Sequence, residues 1–358
     1  MARIALVSDA WHPQVNGVVR TLTTTVGWLQ HLGHVVEVVE PCAYYRVPVP
    51  FYPEVALALP RPGRIRQRLL RFRPDHLHIA TEGPLGLLAR RVALQRGWQF
   101  TSSYHTRFPE YLQAYAAVPP RYTYRYLRWF HRPAARVLVA TASLANELRQ
   151  QHGFANPFAL WSRGVDTTLF HPRPKPAGPY ARPIYLYVGR ISVEKGVEDF
   201  LRLSLPGTKL LVGDGPARLD WQHRYPDAHF LGYRYGQELA ELYAAADVFV
   251  FPSRTDTFGN VILEALASGV PVAAYPVTGP RDLITDPRCG AVHEDLATAI
   301  HLALQHGEPA ACVATAQRYN WHNATLQFLQ ALVPLHAPPL SPSLIQHPNL
   351  GSTNLATD

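Results

Sequence analysis

Along the chain, short apolar, β-branched runs alternate with segments whose apolar positions recur every three or four residues. In the first half the runs are "RIALVSD", "VVEVVEP", "HLHIA", "QFTSSYH" and "RVLVAT". In the second they are "IYLYVGR", "KLLVGDG", "AHFLGY", "DVFVFPS" and "VPVAAY". Each has strand length, and all but the polar "QFTSSYH" are largely apolar, the mark of a strand covered on both faces. Helical patterns such as "VRTLTTTVGWLQHLG" and "GQELAELYAAA" separate them. The alternation predicts parallel sheets flanked by helices, and two such sets predict two doubly wound, Rossmann-like α/β domains.

The length, 358 residues, suits two cores. In "RGVDTTLFHPRPKPAGPYARP", residues 163–183, prolines cluster and periodicity lapses, so the join is placed there. The expected organisation is a first domain over 1–166 and a second over 167–315. A helix over 316–336 within "AATAQRYNWHNATLQFLQALVPL" follows, then a Pro- and Ser-rich tail, 337–358, of disordered composition.

Composition narrows the class. Hydrophobic residues make up 47% and charged residues 17%, as in soluble globular proteins, and no apolar run is long enough to span a bilayer. The start "MARIALVSDAWHP" reads as a first strand, its apolar stretch being too short for a signal peptide. Cys42, Cys289 and Cys312 are odd in number and lack metal-ligand spacing, so neither a disulfide framework nor a metal centre is expected, and a cytoplasmic setting fits. The net charge of +8 suits either an anionic partner or an ordinary basic surface.

Open α/β sheets bind ligands outside the carboxyl ends of their strands. After the first strand, Asn16-Gly17 opens a helix, where the backbone of Gly17 can approach an anion; taken alone this is an ordinary turn. After "IYLYVG", Arg190 and Lys195 offer a planar fork and a mobile point charge, together able to neutralise a diphosphate. "VGDGP", residues 212–216, reads as a tight turn. In "TDTFGNVILEALASG", Asp256 lies in a loop and Glu264 just inside a helix, with Phe258-Gly259-Asn260 between. Gly259 permits close backbone approach, Asn260 is the expected helix cap, and Glu264 is expected at the crevice rim, on the face of Asn260. Carboxylates accept hydrogen bonds from paired hydroxyls, so Glu264 suits a ribose and Asp256 a second polyol such as a sugar. In the first half, Glu82 and the pair His105-Thr106 end strands facing the same crevice, although a lone histidine is as often structural.

Two basic stretches stand apart. In "RPGRIRQRLLRFRP", Arg64, Arg68 and Arg71 share a helical stripe beside Ile65, Leu69 and Phe72. In "RYTYRYLRWFHR", Arg121, Arg125, Arg128 and Arg132 repeat it beside Tyr122, Tyr126 and Trp129. A cationic helix with an apolar flank suits an anionic bilayer; the plainer reading buries that flank in the domain.

The set "VNGVVRTL", "HIATEGPLG", "SYHTRFPEYL", "GVDTTLFHP", "YVGRISVEKG", "GDGP" and "PSRTDTFGNVILEALASGVPV", in order from about residue 3 to 335, resembles the retaining glycosyltransferases of family 4. Those enzymes have the GT-B fold, two Rossmann-like doubly wound parallel-sheet domains facing a central cleft. Within the family the wording is nearest to GDP-mannose-dependent α-mannosyltransferases and sulfoquinovosyltransferases that build glycolipids. The resemblance implies a nucleotide-sugar donor held by the second domain and a lipid or glycan acceptor by the first. Arg190 and Lys195 match the diphosphate-binding pair, Glu264 the acid on the donor ribose, Gly17 the glycine that meets the diphosphate, and His105 a histidine near the donor sugar. The implied catalytic set is Arg190, Lys195, His105 and Asp256, working by same-face displacement without metal or cofactor. Gly17, Phe258, Gly259, Asn260 and Glu264 join the donor site, and Glu82, His105 and Thr106 the acceptor crevice. The family pattern has Glu where this chain has Asp256, which moves the carboxylate by about 1.5 Å, a shift that positioning chemistry feels. Mannose from GDP-mannose is the first expectation and a UDP-sugar glycolipid synthase the alternative. A sugar-nucleotide epimerase and a basic nucleic-acid binder are the remaining classes, and no nucleic-acid partner is expected. The expected location is the cytoplasm, peripheral to the inner face of the membrane.

Overall fold

A computed structural model of the protein describes residues 1–14, 16–49, 52–175 and 178–337. The chain forms two compact units: residues 1–105, 121–161 and 327 onward make up unit 1, and residues 106–120 and 162–326 make up unit 2.

Unit 1 is built on a sheet of β1 (Arg3–Val7), β2 (Val35–Val39), β5 (His76–Ile79), β6 (Thr101–Ser103), β7 (Arg136–Val139) and β8 (Phe158–Leu160), in the order β2-β1-β5-β6-β7-β8. Every pairing in it is parallel. An antiparallel hairpin of β3 (Arg46–Val49) and β4 (Tyr52–Ala58) stands beside it. Its helices are α1 (Gly17–His31), α2 (Pro62–Phe72), α3 (Pro84–Arg96), α5 (Pro120–His131) and α6 (Ala142–Gln150); the intervening α4 (Phe108–Ala116) belongs to unit 2. Alternation along β1 fills two cores. Ala5 and Val7 join Ile65, Leu69, Leu85, Leu127 and Leu148 from α2, α3, α5 and α6. Ile4 and Leu6 join Leu22 and Leu29 of α1 and Phe328 of the carboxyl-terminal helix. Both faces of the sheet are thus covered, as a near-continuous apolar strand requires.

Unit 2 repeats the plan with β9 (Ile184–Val188), β10 (Thr208–Val212), β11 (Ala228–Gly232), β12 (Val248–Phe251), β13 (Val272–Ala274) and β14 (Gly290–Val292), ordered β11-β10-β9-β12-β13-β14 and all parallel. Its helices are α7 (Val197–Leu201), α8 (Arg218–Arg224), α9 (Gly236–Ala245), α10 (Asn260–Ala267), α11 (Pro280–Leu283), α12 (Leu296–His306) and α13 (Pro309–Gln317). The last helix, α14 (Trp321–Ala331), begins in unit 2 and ends in unit 1.

All ten expected strands form. The hairpin β3–β4, the short β8 and the short β14 are not among them; in the hairpin, Pro48 and Glu54 interrupt the apolar pattern. The expected final helix is broken in two: Asn320 accepts the Asn323 N–H through its side chain at 2.7 Å and starts a new helix, as a cap does. The tail read as disordered lies outside the described residues from 338 onward.

Candidate active site

In unit 2 the strand order reverses between β9 and β12, so the loops that leave their carboxyl ends flank a crevice. Arg190 and Lys195 follow β9, and Asp256 follows β12. The structure joins the two loops: Lys195 Nζ donates to Asp256 Oδ1 at 2.7 Å. Burial opposes the charge on Lys195, but Asp256 and then Tyr111 outweigh it and hold the ammonium well above its ordinary pKa. Arg190 Nε lies 3.8 Å from Oε1 of Glu194, whose side chain is 1% exposed. The Glu194 carboxylate accepts the Tyr115 hydroxyl, and its backbone carbonyl accepts the Thr255 hydroxyl at 3.0 Å. The Tyr187 hydroxyl fixes the Arg190 carbonyl at 2.7 Å. Each candidate phosphate-binding cation therefore has a carboxylate beside it, and α4 supplies part of the support. Tyr115 contacts Glu194, the Tyr111 ring lies 5.9 Å from Lys195 Nζ, and Arg107, just before α4, donates to Thr278 Oγ1 at 2.7 Å.

The loops are closely fitted. A Cβ on Gly213 would lie 2.0 Å from the Gly189 carbonyl oxygen, and its φ of +131° is strained for any other residue, so the "GDG" turn can press against the "VGR" turn. Gly259, at φ +90°, is the N-cap of α10 and contributes no side-chain bond. This corrects the expectation for Asn260, which is the first helical residue and not the cap. Glu264 is also deeper than expected. It is 1% exposed and accepts the Tyr243 hydroxyl at Oε2, 2.9 Å away. Ile262, Leu263, Ala265, Leu266 and Ala267 are all buried, so α10 is enclosed well beyond its sheet face and its acid lies below the rim. Phe258 is 4% exposed and packs edge-on to Tyr319, 6.2 Å between centroids, which makes it a core side chain supporting the loop.

In unit 1 the order reverses between β1 and β5, and there the structure plugs the crevice from within. Asp9, after β1, accepts the Leu85 N–H at 2.8 Å, the Gly86 N–H at 3.3 Å and the Thr81 hydroxyl at 2.8 Å, capping α3 from another strand. Burial pushes the Asp9 carboxyl up to about 6, against the opposing hydrogen bonds from Leu85, Thr81 and Gly86. Because the folded pKa is raised, the fold binds this proton more tightly than the unfolded chain does. Its contribution to stability therefore falls as pH rises from about 4 to about 6, by about 3 kcal/mol at 1.36 kcal/mol per unit. Relative to Asp9→Asn, the wild type is expected to lose stability across that window in urea unfolding; a constant gap between the two proteins from pH 4 to 7 would refute the assignment.

Gly17 opens α1, where the Asn16 side chain accepts the N–H groups of Val18 and Val19 at 3.0 Å each. Glu82 does not turn outward as expected. Its Oε1 lies 3.1 Å from Nε2 of the fully buried His131, whose Nδ1 is 2.8 Å from Ser102 Oγ. The Tyr126 hydroxyl takes its carbonyl. With Ser102 and His131 inaccessible, this acid–His–Ser line is structural bracing. His78, bonded to Thr101 at 2.9 Å and Ser103 at 2.8 Å, is held neutral by burial at about 3. His105 is half-buried, edge-on to Trp161 at 5.4 Å. Thr106 begins the unit 2 segment and accepts the Phe108 N–H through its carbonyl at 2.9 Å.

The basic helices are only partly as expected. On α2, Ile65 and Leu69 are fully buried and Phe72 packs against the same core, so the flank proposed for a bilayer belongs to the domain interior. Arg68 is paired with Glu37, while Arg64 and Arg71 are exposed. On α5, Tyr124, Leu127 and Phe130 are buried, Trp129 is 50% exposed under the Arg90 guanidinium, Arg125 is exposed, and Arg128 donates to the His152 carbonyl at 2.8 Å. Among the described residues no helix is long and apolar enough to cross a membrane.

Two α/β units, each on a six-stranded parallel sheet, are the GT-B fold. Residues 15–169 match the family described as Glycosyltransferase Family 4, and residues 182–306 match Glycosyl transferases group 1. The chain belongs to glycosyltransferase family 4 and is a nucleotide-sugar hexosyltransferase. It is 35% identical to a GDP-mannose-dependent α-mannosyltransferase of Mycobacterium tuberculosis (strain CDC 1551 / Oshkosh), covering 80% of this chain and 82% of the relative. It is 33% identical to the sulfoquinovosyl transferase SQD2 of Arabidopsis thaliana, over 78% of this chain and 60% of the relative. Among solved structures, sucrose-phosphate synthase from Thermosynechococcus elongatus superposes with a TM-score of 0.72 at 22% identity, over 92% of this chain and 98% of that one.

Glu194, Tyr111, Tyr115 and Asp9 were not anticipated. Glu194 stands four residues after Arg190, a spacing that invites an ion pair. Tyr111 and Tyr115 are also four apart, on one face of α4, but no sequence signal says that this helix serves the second unit.

Proposed function

We propose that the protein is a retaining hexosyltransferase that moves mannose from GDP-mannose to a lipid or glycan acceptor. The observation that carries this reading is the Lys195–Asp256 pair across the β9/β12 crevice, with Arg190 beside it in the same loop. In this reading Arg190 and Lys195 hold the donor diphosphate, and the N-terminus of α10 adds partial positive charge. Glu264 accepts the ribose hydroxyls. When the diphosphate takes Lys195, Asp256 is released to the hydroxyls of the donor sugar. Gly17 meets the diphosphate, Gly259 and Asn260 line the donor, and His105, Thr106 and Glu82 serve the acceptor side, Glu82 through the placement of its loop. The departing diphosphate is stabilised where charge develops and itself accepts the acceptor proton, so catalysis is electrostatic preorganisation. The reading calls on no metal and no cofactor. The choice of mannose rests on the likeness to the mannosyltransferases, and the lipid acceptor on the likeness to the sulfoquinovosyl transferase.

The test is turnover of a panel of GDP- and UDP-sugars with diacylglycerol or mannolipid acceptors, read as released nucleotide and as product anomer. Nucleotide release with GDP-mannose and an α-linked product is expected. Preferential use of a UDP-sugar would move the protein to the glucosyl or sulfoquinovosyl synthases, and sugar isomerisation without any acceptor would make it an epimerase.

A further inference from the structure

Beside the candidate donor cations lies a buried acid that the proposed chemistry does not use. Glu194 stands in the 3-10 turn Val193–Lys195, and its side chain is 1% exposed. Its two carboxylate oxygens have different surroundings. Oε2 accepts the hydroxyl of Tyr115, from the last turn of α4. Oε1 is buried and, among the described residues, accepts no hydrogen bond. It lies 3.8 Å from Nε of Arg190, near enough to feel its charge and too far for a hydrogen bond. Buried carboxylate oxygens without a donor are costly and few in native folds. Facing a guanidinium at this distance, Oε1 needs only a small shift of the arginine to be satisfied.

The surrounding loop is pinned. The Arg190 carbonyl accepts the Tyr187 hydroxyl at 2.7 Å, and the Glu194 carbonyl accepts the Thr255 hydroxyl at 3.0 Å. The Lys195 N–H donates to the Ser192 carbonyl at 3.2 Å. With the loop backbone fixed at these points, adjustment at Arg190 falls to its side chain. The acid comes nearest at Nε, on one edge of the planar fork, so it can hold the plane without itself taking both terminal nitrogens. That terminal pair suits two oxygens of a diphosphate. Meanwhile α4 is tied to unit 2 by Tyr115 on Glu194, by Arg107 on Thr278 at 2.7 Å, and by the Tyr111 ring 5.9 Å from Lys195 Nζ. Tyr111 and Tyr115 are four residues apart and share a face. One helix therefore addresses both cations, Lys195 at first hand and Arg190 through Glu194.

We infer that Tyr115 and Glu194 are positioning residues for glycosyl transfer: Tyr115 fixes the Glu194 carboxylate, and Glu194 sets the plane of the Arg190 fork that meets the donor diphosphate. The inference rests on the diphosphate reading of Arg190 given above. Neither residue touches the donor. Their contribution is aim, since the acid by itself lowers the positive potential of the site. It acts by keeping the fork directed at the place where charge develops on the leaving group.

The experiment uses the full chain with Glu194→Gln, with Tyr115→Phe, and with both together. Gln113→Ala, at an exposed position of α4, is the control. Calorimetry measures the binding of GDP and of UDP. Turnover is read as released nucleotide at saturating donor, with the nucleotide sugar that the wild type uses, and melting temperature is recorded alongside. Glu194→Gln is expected to keep its affinity for the nucleotide diphosphate within about threefold, because a looser guanidinium still carries its charge. Its turnover is expected to fall about tenfold or more, because the aim is lost. Tyr115→Phe should move the same way by a smaller factor. The double variant should be no worse than Glu194→Gln alone, since Tyr115 acts through that acid. The control should match the wild type.

Affinity and turnover falling together, in step with melting temperature, would make the pair a structural brace. Faster turnover in Glu194→Gln would make the acid only a competitor for Arg190. Additive losses in the double variant would separate Tyr115 from Glu194. Each of these results overturns the inference. Arg190→Ala distinguishes its failure from that of the parent reading. Normal turnover in that variant removes the diphosphate role itself; a large loss there, with wild-type turnover in Glu194→Gln, removes only the positioning role.

Discussion

Lys195→Ala and Arg190→Ala are each expected to lower turnover by two or more orders of magnitude while the protein stays folded. The leaving diphosphate gains charge as the glycosidic bond breaks, and removing one preorganised charge aimed at such a group costs roughly 10²–10³ in rate. The two variants should differ in side effects. Lys195→Ala strands Asp256, whose side chain is 22% exposed and can be solvated. Arg190→Ala strands Glu194, whose side chain is 1% exposed and keeps the Tyr115 hydroxyl as a donor. A buried carboxylate without its cation is costly, so Arg190→Ala should melt at a lower temperature. Arg190→Lys, which keeps charge and loses the fork, should recover stability more than turnover. Near-normal turnover in a folded Lys195→Ala or Arg190→Ala enzyme would remove the diphosphate assignment.

The second large effect concerns the two acids. Asp256 occupies Lys195 at 2.7 Å, so a nucleotide diphosphate must compete with it for the ammonium. Asp256→Asn should therefore bind free GDP or UDP as well as the wild type or better, and bind the nucleotide sugar worse, with turnover at least tenfold down. Glu264→Gln should weaken both ligands by roughly ten- to a hundredfold, because both carry the ribose and hydrogen bonds to a charged partner contribute about 1.5–3 kcal/mol. Calorimetry of both variants with both ligands decides it. Equal losses for both ligands in both variants mean that the acids do not divide the donor.

How much of this could be read beforehand depends on the range of the interaction. The ten expected strands and helices α1 and α9 follow from local pattern, since each apolar run must be buried on its own account. The "RISVEKG" and "TDTFGN" loops stand out as candidate chemistry because charged residues and glycine sit at strand ends. Their pairing was not legible. Lys195 and Asp256 are brought together by the crossing from β9 to β12, a contact 61 residues long in sequence.

The two parallel α/β sheets and the family are legible in the chain alone, because hydrophobic periodicity and ordered motifs are local properties. The folded arrangement sets which charged side chains are paired and which are buried. It turned Glu82 onto a buried histidine and gave Asp9 the α3 terminus. It took α4 into unit 2 and sank the apolar side of α2 into the core. The physical reason is the same in each case: whether a charged side chain is solvated, paired or free for a ligand depends on neighbours supplied by other strands, and residue spacing carries no record of them.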